Sequence, residues 1–90
     1  MNSNEELIKN IIETETHMRK YEQEHPNQYI SSPISVHDYF VIIKSLQVTA
    51  NLAEAIGMTF IKPDCKETLL NIKNTLIKAG VLDDKTKLII

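Results

Sequence analysis

A chain of 90 residues and 10.3 kDa makes one small domain, because domains run from about 50 to 200 residues. Hydrophobic residues at 42% and charged residues at 24% are ordinary globular proportions, and three prolines with two glycines are too few for collagen, a low-complexity linker or a turn-rich sandwich. Ten Lys plus Arg against twelve Asp plus Glu leave a net charge of −2, and Arg19 is the only guanidinium, so no cationic field is available for polyanions.

Ser3 followed three residues later by Glu6 reads as a capping box that opens a helix near Asn4. Leu7, Ile11, Thr14, Met18 and Tyr21 recur at spacings of four and three, flanked by Ile8, Ile12 and Glu15. Glu5 with Lys9, and Glu15 with Arg19, are i,i+4 pairs that belong to the wet face. Pro26 requires the helix to stop before it, which gives a span of Asn4 to Glu24. Residues 26–33 then form a connector with a proline at each end, expected to be a packed loop because it carries Tyr29 and Ile30.

Ser35 and Asp38 form a second capping box at the head of the longest segment free of Gly and Pro, which reaches Gly57. Val36, Tyr39, Phe40, Ile43, Leu46, Ala50, Ala53 and Ile56 fit one helical face. Val41, Ile42, Val48 and Leu52 widen it most of the way round, which predicts a central helix contacted on several sides. A strand over residues 39–43 is the rival reading, and it loses because helical periodicity continues past Lys44; a break near Thr49 and Asn51 would make two helices of one. Gly57 suits a C′ position, and Met58 to Pro63 is a connector. Asp64, with Glu67 three residues on, is expected to cap a third helix over residues 65–79, carried by Leu69, Ile72, Leu76 and Ala79 and widened by Leu70 and Ile77. Gly80 and Val81 read as a Schellman end, residues 82–85 as a turn and Thr86 to Ile90 as an extended tail. The expected fold is a single all-α domain over residues 1–90: a small bundle of three principal helices, with room for a fourth short one and an extended C-terminal tail.

Chemistry is sparse. His17, His25 and His37, with Glu13 one turn before His17, lack the short paired spacings of a zinc site, so no metal is expected. Cys65, beside Lys62 and Lys66 but also Asp64 and Glu67, has no base assigned to it by spacing, and reads as a small half-buried residue rather than a nucleophile. The carboxylates Glu5, Glu6, Glu13, Glu15, Glu22 and Glu24 spread around the first helix, and a solvated face does not drive pKa values apart for acid and base work. Gly57 and Gly80, the only glycines, stand in no phosphate loop. No catalytic residue, cofactor or metal follows. A single cysteine, no basic and apolar leader at Met1 to Glu6, and an apolar run that stops at Lys44 favour a cytoplasmic protein without a membrane span.

The stretch Asn51 to Met58, with Ala53 four places before Gly57, is half of a helix-turn-helix, and residues 77–90 could imitate a wing. Phosphate contacts would then fall to Lys62, Lys66, Lys73, Lys85 and Lys87. Residues 1–45 carry four positive and seven negative side chains and residues 46–90 six and five, so the second half has a net charge of only +1. Such a face disfavours nucleic acid, and a DNA-binding regulator built on residues 50–90 stays the alternative. By elimination and size, the leading expectation is a non-enzymatic protein that acts by protein–protein interaction, as an adaptor, inhibitor, antitoxin, immunity protein or chaperone, and that could pair with a second copy of itself. The side chains a small bundle finds hardest to bury are Tyr29 and Ile30, Phe60 and Ile61, and Leu88, Ile89 and Ile90; these are the expected partner-binding residues. Abundant Ile, Lys and Asn with one Arg point to an AT-rich bacterial or phage genome.

Overall fold

Helix formation follows the apolar stripes closely. The computed structural model describes the backbone of residues 3–31 and 33–90 and the side chains of residues 5–30 and 33–90. Within them run α1 (Ser3–Glu24), β1 (Tyr29–Ser31), β2 (Ile34–Ser35), α2 (Val36–Ala55) and α3 (Ile61–Lys78), which is the small three-helix domain that the periodicity predicts. In α1, Leu7, Asn10, Thr14 and Met18 turn inward. The capping box read at Ser3 and Glu6 rests on the Ser3 side chain, which lies outside the described residues. Beyond Pro26, Asn27 turns the chain with φ at 62°, a left-handed conformation that Asn tolerates better than most residues.

The connector over residues 26–33, expected as a packed loop, contains a strand and leads into a second. Tyr29–Ser31 pairs antiparallel with Ile34–Ser35, Tyr29 opposite Ser35 and Ser31 opposite Ile34, with an irregular register between them. Strands of three and two residues are too short to show the period-two alternation that marks a strand. Ser35 ends β2 and caps α2 at once. Its Oγ accepts from the Asp38 N–H at 3.1 Å, its own N–H donates to Asp38 Oδ2 at 3.0 Å, and the Val36 N–H donates to Gln28 O at 2.8 Å. The ladder therefore hands the chain to α2 with the Ser35, Val36 and Asp38 amides all bonded.

α2 is unbroken through Thr49 and Asn51. It closes in a Schellman turn in which Gly57, at φ 83°, donates to Glu54 O at 3.1 Å and Met58 donates to Ala53 O at 2.8 Å. The start of α3 corrects the expectation. The helix begins at Ile61, with Phe60 at the N-cap and no side-chain cap bond, so Asp64 sits inside the first turn instead of ahead of it. Pro63 is the third helical residue. Its missing N–H is one of the amides that lacks an intrahelical partner anyway, so it does not delay the helix as a proline does further in. At the other end Gly80, at φ 77°, donates to Ile77 O, and Val81 donates to Leu76 O at 2.9 Å while joining Leu76 in the core.

Met18 of α1, Val36, Phe40 and Ile43 of α2, and Leu69, Ile72 and Leu76 of α3 meet in one cluster, closed by Val81 and Leu82. The start of α2 thus shares a core with the end of α3, and the two form an antiparallel hairpin. α1 also runs antiparallel to α2, since Asn10 reaches Gln47, Glu15 reaches Lys44 and Glu22 reaches His37. Residues 81–90 carry neither helix nor strand. The Thr86 N–H closes a turn on Asp83 O, and Leu88 and Ile90 come to rest, partly buried, against the core.

Candidate functional site

α2 presents two apolar faces, and they do different things. The inner one holds Phe40, Ile43 and Gln47, the last fully buried although it is polar. Gln47 Nε2 donates to Asn10 Oδ1 at 2.8 Å and to Ile89 O at 2.9 Å. Asn10 Oδ1 also accepts from the Ile89 N–H at 2.9 Å, while Asn10 Nδ2 donates to Lys87 O at 2.7 Å. Asn10 therefore treats the C-terminal segment as a neighbouring strand would, with one donor and one acceptor to alternate residues. Gln47 Oε1 is buried without a partner. These two amides fix residues 87–89 to α1 and α2, which makes the clamp a structural device that reads only main chain.

The outer face lies on the opposite side of α2. Val41, Val48, Leu52 and Ile56 recur at intervals of seven, four and four, with Ser45 and Ala55 between, and each of the four is about half exposed or more. Lys44, one turn from both Val41 and Val48, is the charge that borders this stripe, on the side facing α1. Beside it, Glu15 of α1 bridges to Lys44 of α2 at 3.2 Å and to Arg19 at 2.9 Å. Arg19 first and Lys44 second hold the Glu15 carboxyl below its ordinary pKa. Ile12 is one turn before Glu15 and Ile8 a second turn back; Val41 and Val48 stand one turn to either side of Lys44. The exposed Ile8 and Ile12 of α1 and the stripe of α2 therefore lie side by side as one apolar face, flanking a bridged ion pair.

The expected partner-binding residues are spread over three places. Tyr29, 61% exposed, sits at the ladder, level with the start of α2. Phe60, 67% exposed, and Ile61, half-buried, sit beyond its far end, about 30 Å away at 1.5 Å per residue. Ile30, Leu88 and Ile90 pack on the core, and Ile89 is held by the clamp. No one surface collects these seven residues. The outer α1–α2 face was legible only as the excess width of the two stripes.

Two of the three histidines are tied into local pairs. His25 stacks on Tyr21 at a ring distance of 4.2 Å, and His37 Nδ1 lies 2.7 Å from Glu22 Oε1. Among the described residues no three or more His, Cys, Asp or Glu side chains group as metal ligands, and Cys65 is buried. A groove of about 610 Å³ between α1 and residues 82–89 is lined by Glu5, Glu6 and Glu13 and by Lys9, Lys85 and Lys87, so its charges cancel and offer no field of one sign. The α2–α3 connection is five residues, 56–60, and no strand follows α3. No described helix is long and apolar enough to cross a membrane. Set against known proteins, the chain matches no family model, and no curated protein or solved structure matches it significantly.

Proposed function

We propose that this protein is a non-enzymatic binding module whose working surface is the outer face of α1 and α2, and that its partner is a protein. One observation carries the reading: α2 is apolar on two opposite sides, and the second side is normally covered as well. Exposing Val48, Leu52, Ile56, Ile8 and Ile12 together, with the bordering Lys44 already paired to Glu15, suits an apolar protein surface better than a phosphate backbone or a small polar substrate. A cytoplasmic setting belongs to the same reading, supported by the buried thiol of Cys65, as does a bacterial or phage source, supported by abundant Ile, Lys and Asn.

The test is capture from native lysate with nuclease-treated controls, comparing the wild-type chain with two surface variants of unchanged helicity. Val48→Asp with Leu52→Asp should abolish recovery of the partner, and Tyr29→Asp with Phe60→Asp should leave it intact. The reverse pattern would move the surface to the ladder and the α2–α3 turn. Recovery that disappears with nuclease would replace the proposal by nucleic-acid binding.

A further inference from the structure

Resting on the outer face as a docking surface, we infer that its occupant is a second copy of this chain, packed across a two-fold axis with α2 on α2 and α1 on α1, each pair antiparallel. The support is that the midpoints of the two stripes lie within one helical turn of the same level. On α2 the stripe is centred on Val48, with Val41 seven residues before it and Ala55 seven after. On α1 the outward stripe is Glu5, Ile8, Ile12, Glu15 and Arg19, at spacings of three and four, and Ile12 stands midway between Glu5 and Arg19. Counted antiparallel, the bonds from Asn10 to Gln47 and from Glu15 to Lys44 put Ile12 level with residues 45–47 of α2, less than one turn from Val48. Two centres within one turn of each other fit a single two-fold that crosses the helices slightly off the perpendicular, because an isologous interface sets each residue and its mirror about the same axis.

Charge complementarity follows from the same operation. Antiparallel α1 helices centred on Ile12 bring Glu5 of one copy opposite Arg19 of the second, twice in the dimer, while Lys44 at the border of the α2 stripe falls level with Leu52 of the second copy, so no like charges are opposed. A parallel arrangement would set Glu5 beside Glu5 and Arg19 beside Arg19 at the same height. The antiparallel dimer also carries Tyr29 of one copy to the end at which the other displays Phe60, so the two exposed aromatics that one chain keeps apart would stand at one end of the pair.

The experiment uses the full chain with Cys65→Ala, so that any disulfide comes from an introduced thiol. Val48→Cys should crosslink to itself under mild oxidation, since residue 48 lies on the axis, and Thr16→Cys, one turn off it, should crosslink far more slowly. Sedimentation equilibrium should find the unmodified chain dimeric, and Val48→Asp with Leu52→Asp monomeric with its helicity unchanged. Glu5→Arg should weaken the dimer about fivefold, as exposed pairs do, and Glu5→Arg combined with Arg19→Glu should restore it. A chain that stays monomeric at millimolar concentration overturns the inference and leaves the docking face to the lysate capture. A dimer that survives the two aspartates, or that fails to link through Val48→Cys, overturns it as well by placing the contact elsewhere.

Discussion

The inner and outer faces of α2 are built from nearly the same residue types, yet the fully buried polar side chain, Gln47, lies on the inner face while the outer stripe from Val41 to Ile56 is aliphatic and small. Hydrophobicity alone does not explain why one is covered and the other is not. What separates them is the supply of partners: Gln47 can be buried because Asn10 and the Ile89 carbonyl receive its N–H groups, and Phe40 and Ile43 fill the space that Leu69, Ile72 and Leu76 leave. The outer face has no such neighbours within the chain. Burial here is decided by complementarity, with polarity secondary.

The largest way to sharpen the contrast is to truncate one residue on each face. Ile43→Ala should cost about 3 kcal/mol in denaturant unfolding, because a fully packed site leaves a cavity, whereas Leu52→Ala in a chain kept monomeric should cost about 0.5 kcal/mol or less. Equal costs would erase the distinction. Next comes the clamp. Asn10→Ala removes partners from Gln47, the Ile89 N–H and Lys87 O together, and should destabilise by about 2–3 kcal/mol. Exchange of the Ile89 amide should accelerate well before that of amides inside α3; uniform acceleration would show that residues 87–89 are not separately held.

Smaller effects belong to the ends. Ser35→Ala should cost about 1 kcal/mol, the usual worth of an N-cap hydroxyl. The Asp38 carboxyl is held below its ordinary pKa by the Ser35 N–H first and the Ser35 side chain second. A lowered folded-state pKa favours the fold above the ordinary carboxylate range, and the benefit disappears as pH falls through the lowered value. The difference between wild type and Asp38→Asn should accordingly shrink on acidification below about pH 4. Smallest of all, Glu15→Gln should change stability within error at moderate salt, since its partners are solvent-accessible.

Much of the frame was legible because it rests on local chemistry: the end of α1 before Pro26, the capping box at Ser35 and Asp38, and both glycine ends. The start of α3 was not, since a proline in a first turn and a proline ahead of a helix look alike in sequence. The ladder is too short for any period to show. The clamp joins Asn10, Gln47 and Ile89 across gaps of 37 and 42 residues, and no local pattern announces such a meeting. Periodicity did reveal that α2 is apolar most of the way round, but it predicted contacts on several sides and not that Val41, Val48, Leu52 and Ile56 would be left uncovered.

Methyl NMR over a dilution series from millimolar to micromolar tests that contrast most directly. The methyl signals of Val41, Val48, Leu52 and Ile56 should shift together with concentration while those of Ile43 and Leu76 stay fixed. Concentration-independent signals on the outer stripe, or shifts confined to Leu88 and Ile90, would contradict the account.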